Sequence, residues 1–288
     1  MSESIERVGV VGAGLMGAGI AEVAAKSGTD VTICDINDAA IAAGRSRIET
    51  SLQKAVKAGK LDDAAAMAAL ERIRFVTDIG ELADRQLVVE AVREYEDEKL
   101  EVFQNLGKLV IDEQAILASN TSSIPIMKLA VASARPEHVV GLHFFNPVPV
   151  MRLVELIPSI VTSAEVADRA EDFMVEGLGK RVIRSQDRAG FIVNALFVPY
   201  VLAAIRMLES GFASADDIDA GMVEGCSHPM GPLALADMIG LDTIEAVADS
   251  MYTEFKEPLY APPPLLSRMV EAGLLGRKVG RGFFNYAK

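Results

Sequence analysis

The chain has 288 residues, 50% of them hydrophobic and 24% charged, which is enough to bury a core in one large α/β unit or two modest domains and excludes a disordered or fibrous protein. Its 28 Lys and Arg stand against 41 Asp and Glu, a net charge of −13, which argues against a nucleic-acid partner bound by phosphate neutralisation. Two cysteines, Cys34 and Cys226, cannot build a disulfide framework and point to a reducing cytoplasm.

The first residues, Met1-Ser2-Glu3-Ser4, are polar and lack the basic and apolar regions of a signal peptide. Arg7-Val8-Gly9-Val10-Val11 predicts a buried strand, and 15–26 carries helical apolar spacing. A second strand follows at Val31-Thr32-Ile33-Cys34-Asp35, then helices over 39–58 and 62–72. Further buried strands are expected at 87–91 and 115–118, with a charged helix over 96–108 between them. This alternation is the pattern of a parallel sheet covered by helices. From Val139 the rhythm changes. The runs 139–145 and 151–157 are joined by Asn146-Pro147-Val148-Pro149-Val150, too short for a helical crossover, so these two strands are expected to be antiparallel. A helix over 164–178 and a strand over 181–185 close this part, and everything beyond Asp187 reads as helix or loop, with helices at 191–209, 215–223, 243–255 and 265–272. The expected fold is a Rossmann-type doubly wound, mostly parallel sheet over 1–186, followed by an all-α domain over 187–288. The apolar stretch 191–208 contains Asn194, Pro199, Tyr200 and Arg206. Barely of membrane-crossing length, it reads as core or subunit interface, and no membrane partner is expected.

Gly12-Ala13-Gly14-Leu15-Met16-Gly17 is G-x-G-x-x-G placed directly after the first strand and opening the first helix. Gly12 permits the tight turn, Gly14 lets the backbone approach a pyrophosphate, and Gly17 lets helix and strand pack closely. The helix start, with Leu15 and Met16 in its first turn, presents free N–H groups to the phosphates. Asp35 ends the second strand, where its carboxylate can accept both ribose hydroxyls. A 2′-phosphate would be repelled there, and Ile36-Asn37-Asp38 supplies no arginine to receive one, so the expected cofactor is NAD and not NADP. No metal site is expected.

Pro149 lies midway between His143 and Glu155. If the two strands pair antiparallel about a turn centred there, the carboxylate lies across the ladder from the imidazole. A carboxylate so placed fixes the tautomer and stabilises the imidazolium, the requirement for a general base near neutrality. The same pattern also fits a half-buried histidine with a chance acidic neighbour. Ser119-Asn120-Thr121-Ser122-Ser123 follows a strand, so its hydroxyls point toward the expected cofactor crevice. Ser122 or Ser123 is equally suited to cap a helix near Ile126. Asn194, an amide one turn into an apolar helix, needs a partner, and a ligand is one candidate.

These stretches, with Gly141-Leu142-His143-Phe144-Phe145-Asn146-Pro147-Val148-Pro149, Gly190-Phe191-Ile192-Val193-Asn194 and the tail Gly276-Arg277-Lys278-Val279-Gly280-Arg281-Gly282-Phe283-Phe284, resemble the 3-hydroxyacyl-CoA dehydrogenases over essentially the whole chain, particularly the short bacterial 3-hydroxybutyryl-CoA dehydrogenases. The resemblance implies that His143 is the catalytic base and Glu155 its orienting partner, and that Ser122 and Asn194 hold the substrate's oxygens. It places Asp35, Glu94, Lys99, Asn146 and Lys278 among the NAD contacts. It implies reversible oxidation of an L-3-hydroxyacyl-CoA to the 3-ketoacyl-CoA, with acetoacetyl-CoA and 3-hydroxybutyryl-CoA as the expected substrates and a homodimer formed through the helical domain. Residues 41–60 hold Arg45, Arg47, Lys54, Lys57 and Lys60 against the single acid Glu49. Arg47, Ser51 and Lys54 share one helix face, a local basic face able to receive the phosphates of CoA. The family's CoA contacts fall in this helix, so Ser51, Lys54 and Lys57 join Ser122 and Asn194 as the expected substrate residues, although any single lysine here also fits a solvated flank. Two alternatives stay open: a related dehydrogenase of a free hydroxy acid or sugar acid, and a non-catalytic, crystallin-like NAD-binding protein.

Overall fold

In the computed structural model residues 4–286 are described, and the polar opening Met1-Ser2-Glu3 lies outside them. Contacts divide the chain into two units, one up to Asp187 and one from Arg188. The first is built on β1 (Arg7–Val11), β2 (Asp30–Cys34), β3 (Ile73–Val76), β4 (Leu87–Glu90), β5 (Ile116–Ser119), β6 (Val139–Phe144), β7 (Leu153–Pro158) and β8 (Arg181–Arg184). They form one sheet in the order β3-β2-β1-β4-β5-β6-β7-β8. Each neighbouring pair is parallel except β6 and β7, which are antiparallel as expected. The central strands β4 and β5 are buried at every position, because helices cover both faces and each Val, Ile and Leu leaves water whichever way it points.

The crossovers are α1 (Leu15–Lys26), α2 (Asp38–Lys57), α3 (Asp63–Glu71), α4 (Glu96–Leu109), α5 (Ile126–Ala132) and α6 (Ala164–Asp172). Small residues let α1 close on the sheet: Ala18, Ala21, Ala24 and Ala25 are buried against Val10 and Ile33 in the core of this unit. Asn37, Asp62 and Ser163 cap α2, α3 and α6 by accepting from Ala40, Ala65 and Val166 N–H groups. For α5 the serine cap that the sequence allowed as an alternative does not form. Neither Ser122 nor Ser123 starts the helix; the Asp187 carboxylate instead accepts from the Ile126 and Met127 N–H groups, both at 2.8 Å.

The second unit is helical: α7 (Val193–Glu209), α8 (Ala215–Cys226), α9 (Pro232–Ile239), α10 (Leu241–Phe255) and α11 (Pro264–Glu271). Val201, Leu202, Ile205, Leu233, Leu241, Met251 and Leu266 meet in its core. Two buried carboxylates organise it. Asp219 accepts from the Leu233 and Ala234 N–H groups at the start of α9, and Asp237 accepts from Phe283 and Phe284, pinning the C-terminal tail. Among the described residues no helix is long and apolar enough to cross a membrane.

β3 and α9 were not foreseen. β3 is four residues at the sheet edge with only Ile73 buried, too short for a period to show. α9 is a short apolar helix after Gly231, with no polar face to mark its turn. The helix expected over 164–178 is α-helical only to Asp172 and ends in a wider π turn, Phe173–Gly177.

Candidate active site

The parallel strands β1, β2, β4, β5 and β6 end along one edge of the sheet, and the strand order reverses between β1 and β4. In open α/β sheets that switch point is where a crevice opens for a ligand. Gly12 turns there at φ +102°, and an added Cβ would lie 2.6 Å from the Ala91 carbonyl oxygen. A Cβ on Gly17 would lie 1.8 Å from the Gly12 carbonyl oxygen, so helix and turn can touch only with glycine there. Gly14 differs: a Cβ added to it would meet nothing within 4 Å. It is also the N-cap of α1, with no side chain bonding the helix start. Open space above an uncapped helix start is what a dinucleotide's pyrophosphate requires, so the residues present fit NAD.

Asp35 follows β2 directly. Its Oδ2 accepts from the Ala13 N–H at 2.6 Å and its Oδ1 from the Ile36 N–H at 2.7 Å. Arg47, on α2, donates to the Ala13 carbonyl oxygen at 3.2 Å. The peptide units on both sides of Ala13 are therefore held from outside the loop, which preorganises the glycine turn.

Beyond β4 lies a buried ionic network. Glu90 is 0% exposed. Its Oε1 accepts from Lys99 Nζ at 2.6 Å and the Val92 N–H at 2.7 Å, and its Oε2 accepts from the Ser119 hydroxyl at 2.6 Å. Lys99 Nζ also lies 3.2 Å from Glu94 Oε2. Glu94 Oε1 accepts from the Thr121 hydroxyl and from the Ser122 and Ser123 N–H groups at 2.8 and 3.2 Å. Burial raises the Glu90 carboxyl, only partly offset by Lys99. Burial also pushes the Glu94 carboxyl upward, but the Lys99 charge and the bonds from Thr121 and Ser122 outweigh it and hold Glu94 below the usual carboxylate range. Two carboxylates around one ammonium thus shape the loop that carries Ser122.

His143 and Glu155 are direct partners in the β6–β7 ladder, the register expected from a turn centred on Pro149. His143 Nδ1 and Glu155 Oε2 are 2.7 Å apart, in a buried pair. Asn120 Oδ1 accepts from the Phe144 N–H at 2.9 Å, tying the end of β5 to the strand that carries His143. The Phe145 ring stands 4.6 Å from the imidazole, centroid to centroid.

A cavity of about 920 Å³ in the same unit is lined by Leu15 and Asn146 together with Arg47, Ser51 and Lys54. Expected cofactor and substrate residues therefore share one space. Lys57 does not line it: that side chain faces a separate groove of about 360 Å³ between α2 and α3, with Leu52, Val56 and Leu70. Asn194 and Lys278 belong to the second unit; Asn194 stands in the first turn of α7, and Lys278 Nζ donates to Asp242 Oδ1 at 2.6 Å. Reasoning from sequence aimed the Ser119 and Thr121 hydroxyls at the crevice but missed Glu90 and the carboxylates that Ser119 and Thr121 bind. The signal was present for Glu90, a lone charge in the strand Leu87-Val88-Val89-Glu90-Ala91, since a buried charge needs a partner.

A glycine turn, a carboxylate at the end of the second strand and a braced imidazole along one sheet edge define a dinucleotide-dependent dehydrogenase of the doubly wound class. The chain belongs to the 3-hydroxyacyl-CoA dehydrogenase family: residues 7–188 match that family's NAD binding domain and residues 190–286 its C-terminal domain. It is 58% identical to a 3-hydroxybutyryl-CoA dehydrogenase of Mycobacterium tuberculosis, over 99% of this chain and 100% of the relative. Among solved structures it is similar to M. tuberculosis FadB2, with a TM-score of 0.98 and 57% identity over 99% of this chain and 100% of that one. It is also similar to the (S)-3-hydroxybutyryl-CoA dehydrogenase PaaH1 of Ralstonia eutropha, with a TM-score of 0.93 and 46% identity over 99% and 100%.

Proposed function

We propose that the protein is an NAD-dependent 3-hydroxyacyl-CoA dehydrogenase whose substrate is an L-3-hydroxyacyl-CoA of short chain, 3-hydroxybutyryl-CoA, oxidised reversibly to acetoacetyl-CoA. The observation that carries this reading is the 2.7 Å contact between His143 and Glu155, at the sheet edge where the nucleotide crevice opens. Bound NAD supplies the hydride acceptor. Glu155 engages Nδ1, so proton exchange falls to Nε2 of His143, which takes the proton of the 3-hydroxyl as the hydride leaves C3. Glu155 stabilises the imidazolium formed and holds the ring in its tautomer. In the reverse direction His143 returns the proton to the nascent alkoxide oxygen.

The Ser122 hydroxyl, on the loop gripped by Glu94, is assigned to the substrate oxygen. Asp35 is assigned to the ribose, and Glu94 with Asn146 to NAD on the family resemblance. Lys99 serves this site through Glu94, because its own ammonium is buried. Ser51, Arg47 and Lys54 are assigned to the CoA moiety. For Asn194, Lys57 and Lys278 the substrate, CoA and NAD roles rest on family resemblance. A homodimer is part of the proposal, supported by the apolar stripe of α7, where Leu196, Ala203 and Met207 recur on one exposed face. So is a cytoplasmic location, on the two free cysteines. The test is NADH absorbance. It should fall when acetoacetyl-CoA is added and far more slowly with free acetoacetate at equal concentration. No change with folded, NADH-bound protein would sink the catalytic reading; an equal rate with the free acid would sink the CoA assignment.

A further inference from the structure

Glu22 of α1 faces the 920 Å³ cavity across from Ser51 and Lys54 of α2. It is 1% exposed, and its Oε1 has no hydrogen-bond partner among the described residues. The cation near it does not satisfy it: Lys26 Nζ, one helical turn on, is 3.8 Å away. Lys180, which also acts on it electrostatically, is committed to the Val148 and Met151 carbonyl oxygens at 2.6 and 2.8 Å. Burial raises the Glu22 carboxyl, and the Ser51 hydroxyl with the Lys26 and Lys180 charges offsets only part of that. Glu22 offsets part of the cost of burying the Lys180 charge, but that role leaves Oε1 unmatched, and apolar packing alone would be met by a leucine without burying an acceptor. An open acceptor deep in a ligand cavity awaits a donor.

We propose that Glu22 is a specificity-determining residue of this cavity, its Oε1 accepting a hydrogen bond from an N–H or O–H donor on the pantetheine arm of the acyl-CoA. This rests on the acyl-CoA reading above. The chemistry divides the cavity. Phosphates are anions and are repelled by a carboxylate, so they belong with Arg47, Lys54 and Lys60, cations that line the same space. The pantetheine arm is neutral and carries amide N–H and hydroxyl donors, the complement that a lone buried acceptor selects.

The test compares the wild type with Glu22→Leu, Glu22→Ala and Glu22→Gln in steady-state reduction of three thioesters: acetoacetyl-CoA, acetoacetyl-pantetheine, which lacks the phosphates, and acetoacetyl-methanethiol, which lacks the arm. In Glu22→Leu the KM for the first two should rise by about tenfold or more, while kcat and the KM for NADH hold and the KM for the armless thioester does not move. Glu22→Ala should behave likewise and serves if the leucine variant fails to fold. Glu22→Gln, which keeps a carbonyl acceptor in place, should stay within about threefold of wild type. An unchanged KM for acetoacetyl-CoA in both the leucine and alanine variants would overturn the proposal. So would a rise for acetoacetyl-CoA without one for acetoacetyl-pantetheine, or an equal rise for all three thioesters. A wild type inactive on acetoacetyl-CoA would instead overturn the reading on which the proposal rests.

Discussion

The 2.7 Å contact of His143 with Glu155 fixes the orientation of the imidazole ring. General acid–base catalysis by a positioned side chain contributes about 10²–10⁴-fold. His143→Gln should therefore lower kcat for acetoacetyl-CoA reduction by about two orders of magnitude or more while NADH binding, followed by fluorescence, stays intact. Near-normal turnover would remove His143 from that role. Asp35 makes the complementary prediction for the cofactor. A hydrogen bond to a charged group contributes about 1.5–3 kcal/mol, at least a tenfold preference, and Asp35→Arg exchanges that attraction for one toward a 2′-phosphate. The ratio of kcat/KM with NADH to that with NADPH should fall by about tenfold or more; an unchanged ratio would show that the ribose lies elsewhere. Both residues were legible in the sequence because their settings are local: Asp35 ends a strand just past the glycine helix, and His143 and Glu155 flank one short turn.

The elements behind the site are held by charges that no periodicity reveals. Lys99, 1% exposed, neutralises Glu90 and Glu94 from α4, and removing one partner of a buried ion pair costs about 3–5 kcal/mol. Lys99→Met should lower unfolding free energy in urea by about that much and reduce kcat as well, because Glu94 shapes the Ser122 loop. A loss well under about 1 kcal/mol would mean that the network is not structural. The α5 start depends on Asp187, sixty residues on in the chain, and a lost helix cap costs about 0.5–2 kcal/mol. Asp187→Ala should destabilise by that order in the same measurement, whereas Ser122→Ala, which caps no helix, should lower activity with less effect on stability. Sequence reading could offer only Ser122 or Ser123 as the alternative cap, because capping rules look a few residues back along the chain and do not reach a carboxylate arriving from another segment.

At the scale of the molecule, the helical unit leaves two large apolar side chains in water, Leu196 74% exposed and Phe212 80% exposed, and Leu196 heads the exposed stripe of α7 on which the dimer proposal rests. In sedimentation the protein should run as a dimer, and Leu196→Glu should shift it toward monomer; a wild-type monomer would refute the dimer proposal outright. The sequence by itself determined the alternation of strands and helices apart from β3 and α9, the antiparallel turn after β6, the glycine turn, the aspartate beyond it and the histidine–glutamate register. Each of these follows from backbone sterics, side-chain period or a turn spanning few residues. Only the tertiary structure decided which charges meet. Glu90 finds Lys99 and Ser119, Arg47 reaches back to Ala13, Lys57 turns from the cavity that Ser51 and Lys54 line, and Glu22 is left facing that cavity with an acceptor unmatched. Such pairings depend on where helices settle on the sheet, a matter of packing between segments far apart in the chain.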